Sequence, residues 1–275
     1  AMGGVIHYYT KNPILKDSKK ISSSFTSNFN SANNSVTNNF NTNYSSDNWG
    51  SITSISISKY GDIKMGKKRN HGYSNWGLNP IFSQNSRYKF YAEPSINSDK
   101  NIQKNTGYSQ VDLFQKFLFR IGDNNLLNLN IQFSESSDID RFDQLSIPMD
   151  DSLKFSEWYY GPQKRLLISP SLRIFPKKKF MDKGVITFGF QKINESRIKR
   201  KFNSLNRSHQ IEDLKVLSLN GDFDTSFNNG HTLSYGLETT YNHNYSKAYD
   251  RILSVDGNNV IGLGTKTAIP TRYPS

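Results

Sequence analysis

Asn124–Ser134 reads NNLLNLNIQFS. Leu127, Leu129, Ile131 and Phe133 alternate with Asn128, Asn130 and Gln132. A period of two sorts these side chains onto the two faces of a β-strand. Such a strand suits a half-covered antiparallel sheet, or the wall of a transmembrane barrel with lipid outside and water inside. The choice turns on whether the pattern repeats and how the repeats are joined.

It repeats in both directions. Arg165–Phe175 sets Ile168, Leu172 and Ile174 against Ser169, Ser171 and Arg173, with Pro170 predicting a bulge or irregular pairing. Val185–Gln191 alternates Ile186, Phe188 and Phe190 with polar neighbours, and Lys215–Phe223 and His231–Tyr241 do the same through Leu217, Leu219, Leu233, Tyr235 and Leu237. Upstream, Tyr108–Arg120 opposes Val111, Leu113, Phe117 and Phe119 to Asp112, Lys116 and Arg120. Trp49–Tyr60 opposes Ile55 and Ile57 to serines, with an aromatic at each end, as in an interfacial girdle. Ile21–Asn30 and Ser35–Tyr44 alternate weakly. This reading gives roughly nine strands of about ten residues, the length a tilted strand needs to cross a bilayer.

The connections alternate in length. Gly122-Asp123-Asn124, Pro176–Gly184 and Asn228-Asn229-Gly230 are short; Gly61–Thr106, Glu135–Gln163 and Asn194–Asp213 are long. Asn194–Asp213 is a loop or two strand extensions, and Asn242–Ser275 reads as a further loop. Outer-membrane barrels have short turns on one side and long loops on the other, whereas a sandwich has no reason to segregate them. An irregular run as long as Gly61–Thr106 is out of place in a compact soluble domain.

Composition agrees. Of 275 residues only 35% are hydrophobic, yet 13% are aromatic, and mean hydropathy is −0.68. Few aliphatics with many aromatics argue against disorder and suit strands of which half faces water. The net charge of +12 is spread over Lys16–Lys20, Lys67–Arg69, Lys177–Lys179 and Arg197–Lys201. No single basic stripe forms, so no nucleic-acid partner is expected. The chain has no cysteine, which removes disulfides and thiolate metal sites. No apolar run reaches membrane-helix length. The opening AMGGVIHYYT has neither a basic nor an apolar leader region, and the chain is read as an internal fragment.

Candidate binding residues are few. Trp158, Tyr159 and Tyr160 are either a platform for flat or cationic ligands or an interfacial aromatic cluster. His71 is either an axial ligand for haem iron or a surface histidine. Arg197 and Arg200, in the Arg197–Lys201 cluster, either draw an anionic chelate or lipid phosphate or form a solvated loop edge. Asp138, Asp140 and Asp143 lack the glycine and distal Glu of a calcium loop, and pairing with Arg141 is the plainer reading. Gly262–Thr267 lacks P-loop spacing. No nucleophile–base set, catalytic carboxylate pair, cofactor site or metal site is expected, and hence no enzyme.

The opening AMGGVIHYYTKNP resembles the end of the plug domain in TonB-dependent outer-membrane receptors. Gly3, Gly4, Val5, Ile6, Thr10, Lys11 and Pro13 match that segment, while His7, Tyr8 and Tyr9 depart from it. Further blocks resemble a Bacteroidetes-type branch of haem, haemoglobin and siderophore receptors. They are Asp62–Gly72, Asn105–Tyr108, Ser136–Ile139, Glu157–Arg165, Glu195–Arg197 and Pro270–Pro274, and EWYYGPQKR at Glu157–Arg165 is the most distinctive. The resemblance implies an all-β chain: residues 1–15 ending a plug, and residues 16–275 forming the first part of a truncated antiparallel transmembrane barrel. It implies residence in the outer membrane against lipid, and uptake of a bulky ligand such as an iron chelate, a siderophore complex or haem. Energy would come from the TonB–ExbB–ExbD complex, engaged through an N-terminal part outside this chain. A passive porin or adhesin-like barrel is the alternative.

Overall fold

The computed structural model describes residues 3–4, 9–84, 91–176, 181–202, 204–227, 230–254 and 260–263. Its main strands are β1 (Lys20–Asn30), β2 (Ser35–Ser45), β3 (Trp49–Tyr60), β4 (Tyr108–Ile121), β5 (Asn125–Ser136), β6 (Phe155–Tyr160), β7 (Lys164–Ile174), β8 (Lys183–Lys201), β9 (Asn206–Ser226), β10 (Thr232–Leu253) and β11 (Val260–Leu263). They form one antiparallel meander in the order β1-β2-β3-β4-β5-β7-β8-β9-β10-β11. Strand β6 continues β7 along the upper part of β8, and Ile139–Asp140 pairs with β6. The sheet is not closed: β1 and β11 are its two edges.

All nine predicted strands are present, and four features correct the sequence reading. Strands β8, β9 and β10 run for 19, 21 and 22 residues, about twice the expected length. Asn194–Asp213 is therefore a pair of strand extensions, paired rung by rung from Asn194↔Asp213 to Lys199↔Ser208. The part of Asn242–Ser275 that is described begins as strand rather than loop, because residues 242–252 pair with β9. Glu135–Gln163 contains β6 and a single helical turn, α1 (Phe142–Leu145), so it is not a bare connection. Gly61–Thr106 is also built: Ile63–Lys64 pairs with Ile102–Gln103, and Ile81–Phe82 with Ser95–Ile96. At Pro170 the expected irregular pairing is seen: the β7–β8 ladder skips Ser169 and Pro170 and resumes without a bulge in the same register, Ile168↔Phe190 then Ser171↔Thr187.

The long connections stand at one end of the sheet, together with the short turn Ser31–Asn34, and other short turns lie at the far end. Ser46–Asn48 and Gly122–Asn124 lie at this far end, where Gly122 takes the left-handed conformation (φ 61°) that a tight turn needs. The Gly61–Gly107 and Ser137–Gln163 connections stand at the opposite end and form a crown with the tops of β8–β10.

Alternation gives the sheet two unlike faces. One carries Phe25, Phe40, Ile55, Ile57, Val111, Phe188, Leu217, Leu219 and Leu237, all exposed, with Leu237 at 73% and Phe25 at 67%. Leu129 on that face is half-buried, and among the described residues no second layer covers it. Polar groups on this face bond to one another: Ser23 to Thr42 at 3.1 Å, and Thr53 to Gln115 at 2.6 Å. The other face is concave and polar. A hollow of about 400 Å³ crosses five strands there, lined among others by Ser54, Asp112, Gln132, Ser134, Arg165 and Gln191.

The N-terminal arm lies on the concave face. Lys116, 4% exposed, donates from Nζ to Thr10 Oγ1 and to Asn12 Oδ1, both at 2.8 Å. A Cβ on Gly50 would stand 3.2 Å from Pro13 Cβ and 3.1 Å from the Ile14 carbonyl, so this position must stay bare for the arm to pass. His7 lies outside the described residues.

Candidate functional site

The buried apolar side chains gather in the crown. Leu145, Leu153, Tyr159, Ile198, Phe202, Ala248 and Leu253 all lie there, and among the described residues only Ile52 of this set belongs to the body of the sheet.

Two side-chain clusters lie on the two faces of β6. A strand sends successive residues to opposite sides, so Trp158 and Tyr160 face one way and Glu157 and Tyr159 the other. On the first face the Arg141 guanidinium sits 4.6 Å from the Trp158 ring centroid and 5.6 Å from that of Tyr160. Arg141 Nη1 donates to Tyr160 Oη at 2.8 Å, and Nε donates to Asp143 Oδ1 at 2.7 Å. Arg141 holds the Asp143 carboxyl down at about 2. The two rings meet edge to face, 5.7 Å apart. Trp158 and Tyr160 thus share a face with the chain's own Arg141 packed against them, while Tyr159 stands on the opposite face.

On the second face Glu157 is 1% exposed and Arg200 3%. Glu157 accepts two hydrogen bonds from Arg207, Nε to Oε2 and Nη2 to Oε1, each 2.7 Å. Arg200 lies 3.4 Å away, donates from Nη2 to Ser156 Oγ at 2.7 Å, and donates from Nη1 to the Ser204 carbonyl at 3.1 Å. Burial works to lower the Arg207 pKa, but the Glu157 carboxylate outweighs it and holds the group above its ordinary range. A two-bond guanidinium–carboxylate pair is among the stronger polar contacts and fixes the orientation of both groups. One register step away, His209 stacks on Tyr249 at 4.9 Å with ring planes 7° apart. Burial, then Arg251 and Arg207, push the imidazole down to about 4, so it is neutral at pH 7.

The predicted residues therefore do not converge on one pocket. Trp158 and Tyr160 share a face with Arg197, whose Nη2 lies 3.9 Å from Glu195 and 4.0 Å from Glu212. Arg200 and Tyr159 belong to the opposite face, so the basic run Arg197–Lys201 is divided by strand alternation. His71 lies on the exposed part of the Gly61–Gly107 connection. Its ring meets Trp76 edge-on at 5.3 Å, and its Nδ1 accepts from the Tyr73 N–H at 3.2 Å. Among the described residues no three His, Asp or Glu side chains gather as a metal site would require.

Sequence reasoning missed Glu157, Arg207 and His209. Each is an isolated polar residue along its own strand, and only cross-strand register brings Glu157, Arg200 and Arg207 into one row. A charged residue within the otherwise aromatic FSEWYY run was the available signal for Glu157. The Gly61–Gly107 connection is tied to this cluster, since Ser83 Oγ donates to the Ser156 carbonyl and Asn105 Nδ2 to the Ser83 carbonyl at 2.7 Å.

No protein-family model matches the chain, and no curated protein matches it.

Proposed function

We propose that the chain is part of the wall of a TonB-dependent outer-membrane receptor, with the end of its plug, and that the receptor imports a bulky iron chelate such as a siderophore complex or haem. The observation that carries this reading is the two-faced sheet: an uncovered apolar face on one side, and on the other a polar hollow holding an N-terminal arm.

The border of the apolar face supports a tilted wall. Going up these strands, the first charged residue on that face is Lys59 on β3, Glu135 on β5, Lys164 on β7 and Lys192 on β8, while β4 carries none there. Glu135 is in register with Val111 and Ile57, one position below Lys59 on that face. Lys164 is level with Glu135, and Lys192 is level with Leu166, Phe133 and Ile55, one position lower again. The border thus slips four residues over the four strand steps to β8 and stays level from Lys192 to Lys215 on β9. With about 3.3 Å per residue and about 4.8 Å per strand, a level membrane plane implies a mean tilt of roughly 30° over β3–β9, a little below the usual tilt of outer-membrane barrels. The two open edges suit a wall completed by further strands, since unpaired backbone in lipid costs several kcal/mol per group.

In this reading the crown and the plug apex bind ligand, the concave face encloses the plug, and energy from TonB–ExbB–ExbD moves the plug aside. The arm held by Lys116 favours a plugged receptor over a passive pore. The test is growth of a deletion strain on single iron sources, with and without an active TonB system. Loss of growth on one chelate or on haem, reproduced by disabling TonB, is the expected result. Unchanged growth on every source overturns the importer, and uptake that survives loss of TonB points to the porin.

A further inference from the structure

We infer that Lys192, Lys215 and His243 form a docking site for the phosphate of an anionic lipid headgroup at the crown-side edge of the apolar face. The inference rests on the membrane reading given above. Lys215 stands between Lys192 and His243 in one row, Lys192↔Lys215 and Lys215↔His243, on the face that carries Leu217 and Leu219. Neighbouring strands lie about 4.8 Å apart, so three donor side chains fall within about 10 Å, a span that a phosphate group and its ester oxygens can bridge. The next position down is apolar on all three strands, with Phe190, Leu217 and Tyr241. Acyl chains against those side chains would place the headgroup at the row above.

Charge favours this occupant. Lys215 and His243 are exposed, and Lys192 is half-buried. The nearby carboxylate, Asp213, lies 3.9 Å from Lys192 and accepts from Asn194 Nδ2 at 2.8 Å. It neutralises one lysine in part and leaves the row cationic. Among the described residues, the opposite edge of the apolar face on β9 and β10 carries Phe223, Thr225, Leu233 and Tyr235, which offer no cation.

The test uses the full-length protein in bilayers, with Tyr241→Trp as a reporter one position below the row. Quenching of the added tryptophan by brominated phosphatidylglycerol is compared with quenching by brominated phosphatidylcholine. The expected result is a preference for the anionic lipid that falls about tenfold in the Lys192→Gln/Lys215→Gln/His243→Gln variant and weakens with salt. Inorganic phosphate at millimolar concentration should not compete, because it lacks the chains that dock on the apolar row. An equal preference in parent and triple variant overturns the headgroup site while the membrane reading stands. Failure of the parent to enter phosphatidylcholine bilayers at all overturns both, and competition by free phosphate replaces the lipid site with a simple anion site.

Discussion

The body of the sheet and the crown are made from the same strands, yet they meet solvent in opposite ways. In the body Phe188, Leu219 and Leu237 point outward and the concave side is polar; in the crown Tyr159, Ile198 and Leu253 are buried and charged groups are paired. The change falls within single strands, at Lys192 on β8 and Lys215 on β9, with no break in the ladder between them. Backbone pairing therefore does not set which face is greasy. The sequence written onto a continuous hairpin does, and it changes where the surroundings of the strand change. If that is right, the two regions should fail independently and for different reasons.

The largest effect is expected at Glu157. Replacing it with Ala leaves Arg200 and Arg207 without the carboxylate that they share, and breaking a buried pair from one side costs about 3–5 kcal/mol. Amide exchange should accelerate at 197–201 and 206–210 and stay unchanged at 184–190, because the body owes nothing to that pair. Equal acceleration at both sets would mean that crown and body are one cooperative unit, and the comparison would fail.

A charge on the apolar face comes next. Leu219→Arg should cost about 2–4 kcal/mol when the full-length protein folds into phosphatidylcholine vesicles, the penalty for arginine at mid-membrane depth. Asn220→Arg, one residue away on the concave face beside Glu238, should cost far less. Denaturant titrations of the two variants compare the faces directly. Equal penalties would sink the idea that one of them meets hydrocarbon.

The body was legible in the sequence and the crown was not, for a physical reason. Leu127 to Phe133 can be read because a period of two is a local property, set by two environments on either side of one strand. Even the weak runs Ile21–Asn30 and Ser35–Tyr44 pair along their whole length, since flanking strands supply what their composition lacks. The crown depends on register between distant segments. Glu157 and Arg207 are fifty residues apart in sequence, and nothing local marks either as a partner. Strand extensions such as residues 242–253 escaped because alternation there is mixed: Tyr245, Lys247 and Tyr249 share a face, and the buried Ala248 lies on the other. The aromatic run at Trp158–Tyr160 was visible, but the packing of Arg141 against it was not, because Arg141 is brought there by the pairing of a separate segment with β6.

The smallest expected effect sharpens the comparison through pH. His209 is held at about 4 by burial first, then by Arg251 and Arg207, with Glu157 and Asp250 pulling weakly the other way. An unfolded histidine titrates near 6.5. Between those values the unfolded chain binds a proton that the folded crown refuses, so stability rises with pH across this window. His209 thus contributes its full stabilisation above about 6.5 and loses it as pH falls toward 4. The ring is partly open to water, so screening keeps the effect modest. His209→Phe keeps a flat ring against Tyr249 and removes the titration. Crown exchange rates measured from pH 7 down to 4.5 should therefore rise more steeply in the parent than in the variant. Asp143 and Asp99, both held at about 2, titrate below this range and do not blur the difference. The body should show no such divergence between the two proteins. An imidazole titrating near 6.5 in the folded protein would remove the buried, cation-flanked environment on which this expectation stands.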